Sequence, residues 1–305
     1  MISVIIPVFN EIGSLPELMD QLRESLHIYK KWEILFVDDG STDGSTEFLN
    51  DLSRKDENVT LIQFHRNYGK SAALAEGFKR AKGEFLITMD ADLQDDPAEI
   101  PNLMKKLEEG FDLVSGWKKK RKDPISKRFP SKIFNYVTRI MTGVKIHDFN
   151  CGLKIYRKEV IKTLDLYGGR HRYIPALAGH NKFRISEIQV NHRPRIHGVT
   201  KYGGSRLFHG FFDLISIIFM NRYTQQPLHL FGFFGLFCGL ASLTVELYVI
   251  GRKIFSGHSF YEHLALMLFG AMLFILGLWF FSIGLIAEMI TRGAQEKESR
   301  VKQII

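Results

Sequence analysis

The chain has 305 residues, 45% hydrophobic and 24% charged, which excludes a disordered or collagen-like polymer and leaves room for more than one structural unit. Two cysteines, Cys151 and Cys238, exclude a disulfide framework or a cysteine-rich zinc module and fit a reducing compartment. A formal charge of +8 favours a polyanionic partner: nucleic acid, anionic lipid or a phosphorylated substrate. The mean hydropathy of −0.05 averages two unlike parts, for residues before about Asn221 are mixed and periodic, whereas much of Leu228–Ile290 is apolar.

In chain order, Ser3–Val8 is expected to be a buried strand. No basic region precedes it, and its apolar run is too short for an export signal. Further β-branched runs at Glu33–Val37, Thr60–Phe64, Glu84–Met89 and Asp112–Ser115 alternate with helical patterns at Leu15–Tyr29, Ser45–Ser53, Ser71–Ala81 and Ala98–Glu109. This alternation predicts an α/β domain with a mostly parallel sheet, whose ligands sit beyond the carboxyl ends of the strands. Ser126–Thr142 reads as a basic helix, and Gly152–Tyr156 and Arg184–Val190 as strands. Arg206–Met220 is amphipathic and suited to a membrane surface.

Two apolar segments follow. Tyr223–Val245 has no Asp, Glu, Lys or Arg, and Leu264–Ala287 has no ionisable side chain. Each can cross a hydrocarbon core of about 30 Å at about 1.5 Å per helical residue. Arg193, Arg195, Lys201, Arg206 and Arg222 precede this hairpin, Arg292, Lys297, Arg300 and Lys302 follow it, and only Arg252 and Lys253 lie between. The bias places both ends in the cytosol.

Carboxylates follow three of the predicted strands: Glu11, the pair Asp38 and Asp39, and the pair Asp90 and Asp92. In an extended segment Asp90, Asp92 and the amide oxygen of Gln94 point the same way. An oxygen-only set suits Mg2+ or Mn2+, which would neutralise a diphosphate leaving group of the kind a nucleotide sugar carries. Asp38 and Asp39 are expected both to accept hydrogen bonds from a nucleotide and to cap the next helix, on different residues. Gly69-Lys70-Ser71 is not a Walker A loop, because the glycine required five residues before Gly69 is Phe64; Lys70 either meets a phosphate or is solvated at a helix start. Arg195, His197 and Lys201 either attract anionic lipid or fold over a diphosphate.

Together, Val4-Ile5-Ile6-Pro7-Val8-Phe9-Asn10-Glu11, Val37-Asp38-Asp39-Gly40-Ser41-Thr42-Asp43, Arg66-Asn67-Tyr68-Gly69-Lys70, Asp90-Ala91-Asp92-Leu93-Gln94-Asp95-Asp96-Pro97, Asp148-Phe149-Asn150-Cys151-Gly152-Leu153-Lys154 and Arg195–Tyr202 resemble family 2 glycosyltransferases of the GT-A fold. The likeness is to their polyprenyl-phosphate (dolichyl- or undecaprenyl-phosphate) sugar-transferase group. Pro227–Gly232 resembles the start of the membrane part in two-span bacterial members. The resemblance implies inverting transfer of one sugar from a nucleotide sugar, UDP-glucose-type favoured, to a polyprenyl phosphate at the cytosolic membrane face. A GDP-mannose-dependent dolichyl-phosphate mannose synthase is the alternative. By motif match Pro7, Asn10, Glu11, Asp38, Asp39, Lys70, Asp90 and Ala91 line the nucleotide pocket. Asp90, Asp92 and Gln94 hold Mg2+ or Mn2+, Arg195 and Lys201 meet the diphosphate, and Arg128 with Lys132 meets the acceptor phosphate. Asp148 is the position of a catalytic base by analogy. A phosphate monoester, with a second pKa of about 6, is already largely dianionic at neutral pH, so an orienting role for Asp148 fits equally.

Other classes fare worse. A processive polysaccharide synthase would carry Gln-x-x-Arg-Trp, which is absent around Trp32, Trp117 and Trp279. A catalytically silent membrane scaffold would not need the Asp-x-Asp pair with Arg195 and Lys201. Nucleic-acid binding is not favoured, because the cations cluster beside a membrane hairpin. The expected organisation is a GT-A catalytic domain over residues 1–204 and a juxtamembrane amphipathic helix over 205–222. A transmembrane hairpin over 223–291 (spans near 227–250 and 263–290) and a cytosolic tail over 292–305 follow. The membrane is the inner membrane if the chain is bacterial, the favoured case, and the ER membrane if it is eukaryotic; a homo-oligomer is compatible with the sequence. The topology is testable: a cysteine at Ser256 should be labelled from outside the cell and one at Ser299 should not, and the reverse pattern would refute the orientation.

Overall fold

The computed structural model describes residues 1–119, 125–164, 166, 168–193, 226–257 and 259–295, with backbone alone at 125–130, 133 and 292–295. The chain divides into two compact units, Met1–Ile215 and Ser216–Ile305. In the first, strands β1 (Ile2–Val8), β2 (Trp32–Asp38), β3 (Val59–Gln63), β4 (Phe85–Thr88) and β5 (Leu113–Trp117) alternate with helices α1 (Leu15–Leu26), α2 (Ser45–Lys55), α3 (Lys70–Arg80) and α4 (Ile100–Glu108). Then come α5 (Ile125–Thr142), β6 (Lys154–Arg157), α6 (Lys158–Lys162), a 3-10 turn at Arg170–Tyr173, α7 (Ile174–His180) and β7 (Ile185–Gln189).

The seven strands form one sheet in the order β3-β2-β1-β4-β6-β5-β7. Only β6 runs antiparallel to its neighbours β4 and β5. The sheet is covered on both faces, which is why its strands read as nearly continuous apolar runs. Side-chain alternation divides them: Val4, Ile6, Ile34 and Phe36 join α1 and α4 in one core, while Ile5, Leu35 and Val37 join α3 and α7 in the other. The reversal of β6 has a functional consequence. Lys154 pairs with Thr88, so the segment leading into β6 lies at the edge where β4 ends.

In the second unit, α8 (Pro227–Ser256) and α9 (Leu264–Gln295) are 30 and 32 residues long, about 45 Å or more at 1.5 Å per residue. Only 17% and 11% of their most apolar stretches are buried, so they are not core helices of a water-soluble protein; Phe233, Leu236, Trp279 and Met289 face outward. Gly257, at φ +69°, ends α8, and Ser259 and Glu262 form a reciprocal capping box in the turn. In lipid every backbone donor needs a partner, and Glu288 of α9 accepts the amide of Leu228 in the first turn of α8, 3.4 Å away.

Small residues recur every seventh position along the seam: Gly235 and Ser242 on α8, Gly270, Gly277 and Gly284 on α9, all buried. Such spacing brings backbones close where there is no hydrophobic drive between helices. Ser242 Oγ donates to the Gly270 carbonyl at 2.8 Å. A Cβ on Gly277 would lie 2.9 Å from the Gly235 carbonyl oxygen, whereas one on Gly239 would meet nothing within 4 Å. Gly277→Leu should therefore cost about 1–3 kcal/mol of hairpin stability, measured as a lower melting temperature in detergent, and Gly239→Leu should leave the melting temperature unchanged.

Candidate active site

The loops after β1 and β2 are stitched to each other. Asn10, at φ +55°, accepts the Thr42 amide at 2.7 Å and gives its own amide to Ser41 Oγ at 2.9 Å. Glu11 donates its amide to Ser45 Oγ at 3.1 Å, and Pro7, Asn10 and Glu11 are each half-buried. Asp38 is wholly buried and accepts from the Ser41 amide at 3.1 Å and the Thr46 hydroxyl at 2.5 Å, so it anchors the start of α2. Asp39 accepts the Tyr68 and Gly69 amides at 2.6 and 2.9 Å. Burial pushes its carboxyl above the usual range despite those two bonds. Both acids of the pair hold loops together, each oxygen engaged within the protein.

Beyond β4, Asp90 is ion-paired with Lys70 at the start of α3. Burial would raise the Asp90 carboxyl, but Lys70 and Lys118 hold it well below the ordinary carboxylate range. Its amide donates to Asp95 Oδ2 at 3.3 Å, and the other oxygen of Asp95 lies 2.7 Å from Lys118 Nζ. Asp95 and Asp148 are buried, as is Asp92, 7% exposed. Leu93 at φ +60° turns the chain so that the Gln94 amide reaches Asp92 Oδ1 at 3.2 Å. Ala91 is buried and its carbonyl accepts Ser14 Oγ at 2.6 Å. Gly152, before β6, lets these acids approach: a Cβ there would sit 2.7 Å from Asp90 Oδ2 and from Asp95 Oδ2.

The same edge carries groups that sequence reasoning passed over. Lys154 is buried and donates to the Cys151 carbonyl; burial, with Lys70 nearby, lowers its pKa, while Asp148 and Asp90 oppose the shift. The Cys151 thiol is pushed up to about 12, mainly by burial. Asp148 accepts the Asn150 amide at 3.1 Å. His171 lies against α3, with Ser71 Oγ 3.1 Å from its amide and 2.9 Å from its Nδ1. Burial, Lys70 and Arg172 hold its imidazole well below the usual range, Asp90 acting the other way. Lys154 carried a signal, a single ammonium inside the apolar run Cys-Gly-Leu-Lys-Ile-Tyr. His171 carried none, because its partner is a hundred residues earlier.

Among the described residues, no three His, Cys, Asp or Glu side chains converge as a metal cage. The oxygen donors present nonetheless fit Mg2+ or Mn2+, which take one or two carboxylates and complete their shell with water and phosphate. Lys132 is exposed on α5, and Arg128 lies on the same helix with its side chain outside the description. Arg195, Lys201 and the 205–222 segment lie outside the described residues.

Residues 3–165 match the family model described as "Glycosyl transferase family 2". The chain belongs to glycosyl transferase family 2. It is 39% identical to the dodecaprenyl-phosphate galacturonate synthase of Rhizobium johnstonii over 95% of its length and 88% of that protein's. It is 33% identical to the undecaprenyl-phosphate 4-deoxy-4-formamido-L-arabinose transferase of Pseudomonas aeruginosa, over 100% and 89%. Glucosyl-3-phosphoglycerate synthase from Mycobacterium tuberculosis shares the fold of this family 2 glycosyltransferase, with a TM-score of 0.55 at 17% identity over 72% of this chain and 79% of that one. The mostly parallel sheet is thus that of a GT-A enzyme.

The lowered His171 pKa sets a pH dependence. The unfolded chain binds a proton near pH 6.5 that the folded one resists, so stability is lost as pH falls through that value. His171→Gln should flatten the decline in melting temperature between about pH 7 and pH 5; an unchanged decline would show that His171 does not contribute to it.

Proposed function

We propose that this glycosyltransferase moves a single sugar from a nucleotide sugar to a polyprenyl phosphate. The supporting observation is that one chain joins the Asp90–Asp92 carboxylate edge to two outward-apolar helices, and that relatives named for polyprenyl-phosphate sugar transfer align with it over both parts. The reaction is an in-line displacement. A phosphate oxygen of the acceptor attacks the anomeric carbon, the bond to the nucleoside diphosphate breaks, and the configuration inverts. The bond formed is a sugar phosphoester, and the electron pair of the broken bond leaves on the diphosphate.

Asp90 and Asp92, with Gln94, would hold Mg2+ or Mn2+, whose contribution when bound is to neutralise the leaving diphosphate. Pro7, Asn10 and Glu11 border the nucleotide, while Asp38 and Asp39 fix the loops that do so. Lys70, at the head of α3, orients Asp90. Arg195 and Lys201 are proposed diphosphate ligands, and Arg128 and Lys132 proposed ligands of the acceptor phosphate. The acceptor is already anionic, so Asp148 orients rather than deprotonates, and positioning supplies most of the rate. A UDP-linked glucose-type sugar is the donor we favour. Because the named relatives take galacturonate and formamido-arabinose, the assay should span UDP-linked neutral hexoses, uronic acids and aminopentoses, with GDP-mannose beside them. The excess of basic residues on both flanks of the hairpin supports a cytosolic catalytic unit.

Turnover of polyprenyl phosphate in detergent should appear with one donor of the panel, vanish with EDTA and return with Mg2+ or Mn2+. Asp92→Asn should abolish it without lowering the melting temperature. Full activity in chelator would overturn the metal assignment, and nucleotide-sugar binding without turnover on any donor would favour a silent scaffold.

A further inference from the structure

The 3-10 turn Arg170–Tyr173 belongs to none of the motifs that located the site, yet it is built into it. On one side His171 is fixed to Ser71 at the head of α3, one residue from the Lys70 that pairs with Asp90. On the other, the buried ring of Tyr173 lies 5.3 Å from that of Phe134 on α5, the helix that also carries Arg128 and Lys132. The turn therefore spans the interval between the donor carboxylates and the basic helix.

Arg172 stands between these two contacts. Its guanidinium is close enough to His171 to act on the imidazole, and its Nε is shielded from solvent with no hydrogen-bond partner. The neighbouring ammonium groups differ: Lys70 has Asp90, Lys118 has Asp95 and Lys154 has a backbone carbonyl. A desolvated donor without a partner is unfavourable, and an anion would satisfy it. Nε with one terminal nitrogen forms the side-on fork that takes two oxygens of a phosphate.

We propose that Arg172 binds the attacking phosphate of the acceptor, holding two of its oxygens so that the third is free to face the donor sugar. This rests on the polyprenyl-phosphate reading above. The acceptor phosphate fits better than the donor diphosphate, because the turn leans on α5 and makes none of the contacts that join the β1 and β2 loops. A guanidinium is a donor and not a proton acceptor, so Arg172 positions and screens the nucleophile and removes no proton.

The test is binding to the full-length protein in detergent, with farnesyl phosphate for the acceptor and UDP or GDP, whichever the wild type binds, for the donor. Arg172→Ala should weaken farnesyl phosphate by about tenfold or more, as expected for a lost charged hydrogen bond, and leave nucleotide affinity unchanged. Arg172→Lys should fall between, since it keeps the charge and loses the fork. Unchanged farnesyl phosphate affinity in a variant that binds nucleotide normally would overturn the assignment, as would a loss confined to the nucleotide. If Arg172→Ala binds neither ligand, Arg172→Lys decides, and loss of both ligands there also overturns it. A wild type that binds nucleotide but no prenyl phosphate would instead overturn the acceptor reading itself, and Arg172's role with it.

Discussion

The buried pair of Lys118 and Asp95 is the constraint on which the catalytic edge depends. Asp95 is wholly shielded from solvent, takes Lys118 on one oxygen and the Asp90 amide on the other, and through its backbone bridges to His192. It thereby joins the end of β5, the loop after β4 and the segment after β7. Burial would lower the Lys118 pKa, but Asp95 and Asp90 keep its ammonium well above the usual range. Removing one partner of such a pair leaves an unneutralised buried charge, which costs about 3–5 kcal/mol. An apolar replacement of both could be as stable, but nothing would then fix the backbone at Asp90. The pair is better explained by the site it shapes than by the stability it adds.

Much of the fold was legible because the two periodicities do not overlap. The strands read as apolar runs, since both faces of the sheet are covered, and every helix between them shows an apolar stripe. What local pattern could not show is pairing. Nothing in Lys154–Arg157 says that it runs against β4 and β5, yet this reversal carries Gly152 and Asp148 to the donor edge. The candidate site was legible in part: Asp90, Asp92 and the strand-end loops announce themselves by position. His171 does not, because its meaning comes from a contact with Ser71 made across the fold, and Arg172 follows it in the same turn. Asp38 and Asp39 show the opposite limit. Their type and place suggest ligand contact, while the folded chain uses their oxygens to tie its own loops.

The membrane unit obeys a different rule from the sheet. In the catalytic unit most of the larger apolar side chains are buried, and in the hairpin most point outward, leaving the seam mainly to glycine and serine, with Val249 continuing it on α8. Lipid removes the hydrophobic incentive to pack large groups between helices, so close backbone contact and an interhelical hydrogen bond take its place. A polar group at the seam's end is consistent with this, since Glu288 satisfies an amide of α8. Composition alone could identify two spans; the seven-residue spacing of small residues is what makes them a pair.

Charge at the catalytic edge narrows how the proposed reaction can work. Among the described residues, the buried or half-buried carboxylates Asp90, Asp95 and Asp148 face the ammonium groups of Lys70, Lys118 and Lys154, and Asp92 lies buried in the same loop. Lys70 and Lys118 are already committed to carboxylate partners, and Lys154 to the Cys151 carbonyl. The edge therefore has no surplus of positive charge for a nucleoside diphosphate, still less for a second, phosphorylated substrate. A diphosphate entering such a site must bring a divalent cation, as the oxygen-rich donor set favours, and the acceptor must find an uncommitted cation of its own. The described cation next to this edge with a shielded, unbonded nitrogen is Arg172. On the proposed reading the two substrates would be held by different charges: the donor by a metal-bearing carboxylate edge, the acceptor by the Arg172 guanidinium together with Arg128 and Lys132 of α5.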